Sequence, residues 1–266
     1  MKKFLYVVML LLTATSANAQ IDLNQYKDCK KNMSVNPLYL GQDKERLERR
    51  VFVLCQENYV SYFDPMTKTP LWVAEKVTQD VNVKRVNNFA QNPNVPRGAQ
   101  ANINDYTHSG FDKGHMAPAA NMMNDNAMIE SFYLTNMVPQ VGPNMNRGIW
   151  ADLEDAVRQI ANKDGIVYVY SGPIFDKTTQ FIGKSKVWVP TELYKIIYRP
   201  KTQQFIAFIM PNRQIITEKT KTLDKGNEKM PQTTPEMAVN CGKVCRISNF
   251  QVDMSLVEQK TRFKFK

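Results

Sequence analysis

Apolar residues fall along this chain in short runs separated by polar turns. Val51–Cys55 and Tyr59–Phe63 are rich in β-formers and are split by Gln56-Glu57-Asn58, which predicts a hairpin whose second strand Asp64-Pro65 ends. Leu71–Lys76 is a further strand. Residues 20–48 read as a polar, irregular lead-in, and residues 86–107, rich in Asn and Pro, as a long loop. A loop of that length in a compact domain is usually functional or mobile. Trp150, Leu153, Val157 and Ile160 recur at helical spacing, so residues 147–162 form an amphipathic helix that Asp164-Gly165 ends. Ile166–Tyr170 is a buried strand closed by Ser171-Gly172-Pro173, and Val187–Val189, Leu193–Tyr198 and Phe205–Met210 supply more strands. There is no internal repeat and no low-complexity linker. The economical reading is one α+β domain over residues 20–266, a central antiparallel or mixed sheet with flanking helices.

The first residues follow another pattern. Lys2 and Lys3 precede an apolar run from Phe4 to Leu12, and small residues lead to Ala17-Asn18-Ala19, the layout of a secretory signal peptide cleaved after Ala19. The run is short of the roughly 20 residues that a spanning helix needs. The expected product is secreted or periplasmic, with no stable membrane association once the leader is removed. Cleavage takes two lysines and no acids, lowering the formal charge from +10 to +8. That surplus favours polyanionic partners. It is scattered, however, over Lys44–Arg50, Lys219–Lys229 and Lys260–Lys266, and the last of these reads as a solvated edge.

The four cysteines are Cys29, Cys55, Cys241 and Cys245. In an oxidising compartment an even count implies disulfides, and three pairings are open. The spacing of Cys241 and Cys245 suits a small closed loop, which would leave Cys29 with Cys55. A zinc site is the rival, poorly served by one C-x3-C pair and two histidines.

Histidine is scarce, with only His108 and His115, and it is the side chain most easily poised as a general base near neutral pH. His115 follows Gly114, which suits a tight turn aiming a side chain from a strand end into a cleft. A lone histidine is nevertheless more often structural than catalytic. Its neighbours change that weighting. Asp112-Lys113-Gly114-His115 resembles the D-R-G-H signature of the DNA/RNA non-specific endonuclease family, built on a ββα-metal site. Asn136-Met137-Val138-Pro139-Gln140 is similar to its N-x-x-P-Q, and Asn146-Arg147-Gly148-Ile149-Trp150 to its N-[R/Q]-G-x-W, with Leu153-Glu154 following. The resemblance spans residues 50–255.

The resemblance implies a metal-dependent endonuclease acting on DNA and RNA with little sequence preference. It makes His115 the base that deprotonates the attacking water and Asn146 the direct metal ligand. The rival role for Asn146 is a helix N-cap. An amide oxygen suits Mg2+, with Mn2+ as the alternative. Glu154, eight residues on and about 12 Å away along an ideal helix, would act on the metal through its bound water. Arg85 is the family's upstream arginine, with Arg97 as the alternative, and Asp112, Asn136, Gln140 and Arg147 support substrate or the metal's water shell. Lys113 departs from the family's arginine: it keeps the charge and loses the planar fork. That departure leaves a second reading, a catalytically weak nucleic-acid-binding protein that assists DNA uptake.

Overall fold

A computed structural model of the chain describes residues 27–35, 37–40, 51–78, 83–177, 179–215, 241 and 245–265. The leader expected at residues 1–19 and the basic clusters at 44–50 and 219–229 lie outside them.

The expected hairpin is present. After the short β1 (Leu38–Tyr39), β2 (Phe52–Cys55) and β3 (Tyr59–Asp64) pair antiparallel, and β4 (Thr69–Val77) adds to β3. The polar stretch 86–107 is not wholly irregular: it ends in a one-turn helix, α1 (Ile103–Tyr106). The Asn102 side chain accepts from Asn104 N at 3.0 Å, and Asp105 Oδ2 accepts from Asn102 N at 2.7 Å. Reciprocal capping of this kind lets so short a turn form despite its polar composition. A second hairpin follows, β5 (Phe111–His115) against β6 (Met137–Val141), with α2 (Asp125–Ser131) between them.

Residues 142–150 form a wide helical turn kinked at Gly148 (φ −125°, ψ −115°), and α3 (Ala151–Asp164) continues from it. Gly165 ends α3 at φ +89°, a backbone state that favours glycine. Trp150, Leu153 and Val157 are buried, as the helical period predicts. The strand expected to close at Ser171 instead runs on as β7 (Val167–Ile174). Gly172 does not break it: a Cβ there would come within 2.5 Å of Leu71 O and 2.7 Å of the Tyr194 hydroxyl. Glycine here permits a close approach inside the sheet.

The chain continues through a β8 (Gln180–Ile182) and β9 (Val187–Val189) ribbon, then β10 (Glu192–Arg199) and β11 (Gln204–Pro211). Last come β12 (Gln251–Val252), α4 (Met254–Thr261) and β13 (Phe263–Lys264). Seven strands make an antiparallel sheet in the order β12-β11-β10-β7-β4-β3-β2. Its strands alternate between two cores. Val73, Val169, Leu193, Ile197 and Phe208 face α3, while Trp72, Ala74, Tyr170, Ile196 and Ile209 face the opposite side with Val257, Phe263 and Phe265. Because both faces are covered, the strands read as nearly continuous apolar runs.

The basic tail at Lys260–Lys266 is not a solvated edge: β13 pairs with β1, and Phe263 and Phe265 are buried on either side of exposed Lys264. Period-two alternation hides two aromatic anchors between basic residues. All four cysteines are in disulfides, Cys29 with Cys55 and Cys241 with Cys245, which removes the zinc reading.

Candidate active site

The β5–β6 hairpin and the segment leading into α3 enclose a cavity of about 460 Å³. Arg85, Asp112, Lys113, His115, Asn146, Arg147 and Glu154 all line it. Arg97 sits in a separate turn, so of the two arginine candidates the fold brings Arg85 to the site.

Side-chain alternation along β5 separates two tasks. His115 packs edge-on to Phe132, with ring centroids 4.9 Å apart, and against Phe89 at 5.8 Å. Its ring is partly open to the cavity, while Nε2 is shielded and has no hydrogen-bond partner among the described residues. Arg85 lies over the other ring of this stack, its Cζ 5.1 Å from the Phe132 centroid. Burial first, and then the Arg85 charge, push the His115 pKa down to about 3, so the imidazole is neutral at pH 7. Lys113 Nζ rests over Phe89 at 4.8 Å and Tyr106 at 5.7 Å, held against the cavity wall.

Asp112 projects to the other side. Its Oδ2 accepts from Asn146 Nδ2 at 2.9 Å and pairs with Arg147 Nε at 3.0 Å. Committing the Asn146 nitrogen to Asp112 leaves the amide oxygen free, and Asn146 caps neither helical segment. A free amide oxygen near the carboxylates of Asp112 and Glu154 is a hard donor set, suited to a divalent cation that keeps much of its water.

Gly114, Gln140 and Asn136 build the hairpin. Gly114 is in the ladder opposite Val138, not in a turn; a Cβ there would lie 1.7 Å from Gln140 Oε1. It is glycine because the buried Gln140 side chain occupies that space. Asn136 Oδ1 accepts from Ala117 N at 2.9 Å, and Nδ2 donates to the Ala117 and Ser131 carbonyls, each at 2.9 Å. Asn136 thus clamps the chain two residues beyond His115. Neither Asn136 nor Gln140 lines the cavity.

Behind Glu154 is a group of buried polar residues that the motifs do not mark. Lys195, 1% exposed, donates from Nζ to Ser171 Oγ at 2.7 Å and sits 4.5 Å over the Trp150 ring. Glu75, 2% exposed, accepts from Asn121 Nδ2 at 3.1 Å, and Asn121 Oδ1 accepts from Arg158 at 3.2 Å. Burial raises the Glu154 pKa to about 6, opposed by Lys195 and Arg158, and that of Glu75 to about 7, opposed chiefly by Lys195. Burial lowers that of Lys195, and Glu154 and Glu75 oppose the shift. One signal was visible: Lys195 interrupts an apolar run at the inward parity of Leu193 and Ile197.

A hairpin and a helix that converge a neutral histidine, a free amide oxygen and a carboxylate on one cavity define a ββα-type centre. The chain belongs to the DNA/RNA non-specific endonuclease family, whose model matches residues 40–266. It is 36% identical over 180 residues to mitochondrial nuclease 1 of Schizosaccharomyces pombe, covering 59% of this chain and 56% of that protein. It is 37% identical over 197 residues to nuclease C1 of Cunninghamella echinulata var. echinulata, covering 67% and 75%. A solved complex of EndoG with EndoGI superposes at TM-score 0.64 with 28% identity, over 80% of this chain and 84% of that one. The chain thus spans little more than half of the S. pombe relative.

These relatives correct one expectation. Curated relatives with mitochondrial names point to mitochondria, not to secretion or the periplasm.

Proposed function

We propose that this chain hydrolyses phosphodiester bonds of DNA and RNA without a sequence requirement, with His115 as general base. The observation that carries the reading is the convergence of His115, Asn146 and Glu154 on one cavity rimmed by Arg85, Lys113 and Arg147. The imidazole is neutral at pH 7, and the part of its ring that is open to the cavity is where it would take the proton of an attacking water. Arg85, held beside it across Phe132, meets charge that builds on the phosphoryl oxygens. Lys113 offers phosphate a point charge. Asn146, oriented by Asp112, and Glu154 would hold a divalent cation, Mg2+ by the hardness of the donors with Mn2+ as alternative; bound there, it would supply Lewis-acid stabilisation of the phosphoryl group and leaving oxygen. A site of phosphate-directed cations carries no base information, which accounts for cleavage without sequence preference.

The test is cleavage of plasmid DNA and of RNA by purified protein in EDTA, then with added Mg2+ or Mn2+, beside His115→Ala. Cation-dependent cutting by the wild type alone is expected. Undiminished cutting by the folded variant would remove His115 from the reaction. Retention of DNA without any cutting would favour the binding-protein reading instead.

A further inference from the structure

The sheet face beneath α3 carries a polar stripe across three adjacent strands. Lys195 on β10 stands opposite Ser171 on β7, and Ser171 stands opposite Val73, two residues from Glu75 on β4. All three are almost completely buried in the middle of an apolar core. Placing an ammonium there costs several kcal/mol unless other groups compensate. Packing does not require it: the core on this face is built mainly of apolar side chains, Met210 among them, and a methionine would fill a similar volume. The contacts of Lys195 show what the charge serves. Its Nζ is anchored to Ser171 and rests on the face of Trp150, the residue immediately before α3. Its charge also acts on Glu154, one turn further along the helix. On the other flank Glu75 and Asn121 reach Arg158, one turn beyond Glu154.

We propose that Lys195 is a positioning residue for the catalytic centre, fixing the start of α3 through Trp150, and with it the placement of Glu154 one turn on, while its charge limits the inward side of the Glu154 carboxylate's freedom. The role is indirect, since Lys195 does not line the cavity. It rests on the nuclease reading above and extends it to a residue that no motif marks. Removing the ammonium and keeping its volume frees the Trp150 ring and the Glu154 carboxylate to shift while the core stays filled.

The experiment compares wild type, Lys195→Met, Lys195→Arg and Ser171→Ala by plasmid cleavage kinetics, by Mn2+ titration in a calorimeter without substrate, and by thermal unfolding. Lys195→Met is expected to lower kcat about 10- to 100-fold with little change in KM, and to weaken Mn2+ binding by a similar factor. Its unfolding temperature should be unchanged or higher. Lys195→Arg should recover part of the loss. A folded Lys195→Met with wild-type kcat and Mn2+ affinity would overturn the proposal. If that variant does not fold, Ser171→Ala decides: a drop in kcat at constant KM supports the role, and wild-type kcat and Mn2+ affinity overturn it. Failure of the wild type to cut at all would strike the nuclease reading, a separate result from a cutting enzyme indifferent to Lys195.

Discussion

Replacing Gly114 by alanine tests whether the hairpin, and not only its histidine, sets the site. The added Cβ would lie 1.7 Å from Gln140 Oε1, 2.2 Å from Cδ and 2.4 Å from Cγ. Ordinary contacts are about 3.5–4 Å, so Gln140 must retreat by well over an ångström. It cannot swing into solvent, being fully buried on β6. Overpacking of this kind costs about 1–3 kcal/mol. The backbone that has to give way carries His115 as its next residue, and a misplacement near 1 Å is worth about 100-fold in rate. Gly114→Ala should therefore lose about 1–3 kcal/mol in urea unfolding and about 100-fold in initial rate on plasmid DNA. Gln140→Ala clears the space, so the double variant should regain much of both, with a coupling energy of at least about 1 kcal/mol. A Gly114→Ala protein as stable and active as wild type would refute the steric argument. So would a double variant no better than the single one.

Further outcomes follow from the same geometry. In EDTA, His115 contributes stability that is present above its ordinary pKa of 6.5 and lost as pH falls toward about 3, because the unfolded chain takes up that proton first. Between pH 7 and 5 this amounts to about 2 kcal/mol, or about 1 kcal/mol once the partly open ring is allowed for, and His115→Asn should abolish it in denaturant titrations. Glu75, raised to about 7, acts in the opposite sense: its contribution is present below 4.5 and lost as pH rises through 7, so Glu75→Gln should flatten that slope. The two trends partly cancel in the wild type, and a His115→Asn protein with unchanged pH dependence would contradict the first. Asp112→Asn can no longer fix the Asn146 amide by accepting as an anion and should lower kcat about 10- to 100-fold; an unchanged rate would free Asn146 from Asp112. Opening the Cys29–Cys55 link, 26 residues apart, should cost about 3.5 kcal/mol, against about 2 kcal/mol for the Cys241–Cys245 link, 4 apart. Equal losses on guanidinium unfolding would speak against loop length as the cause.

What could be read in advance depended on whether the signal was local. Hairpin β2–β3, the strands β9 to β11 and the buried stripe of α3 follow from periodicity over a few residues. His115, Asn146 and Glu154, which line one cavity, could be picked out as candidates because the motifs are contiguous. Gly172 misled because glycine beside proline looks like a breaker, and only the Tyr194 hydroxyl and Leu71 carbonyl, from other strands, explain it. Lys260–Lys266 misled because its charge outweighed the alternation of Phe263 and Phe265. Glu75 and Lys195 stayed hidden for a deeper reason: they become neighbours only through the order β10-β7-β4, which does not follow the chain.

That strand order has a kinetic meaning. β4 ends at Val77 and its partner β7 begins at Val167, so the hairpin, the kinked turn and α3 form one excursion pinned at its base by the β4–β7 ladder. Closing so long a loop is entropically costly and slow compared with forming local hairpins. His115 and Asn146 can therefore be synthesised well before they are brought into register, and Lys195, which packs on Trp150, comes later still. In a refolding experiment, cutting activity should return with the slowest phase that builds the sheet, after β2–β3 has formed. On the proposed function, a growing chain would carry these groups harmlessly past the nucleic acids that make it, and be able to cut them only once the sheet is sewn shut.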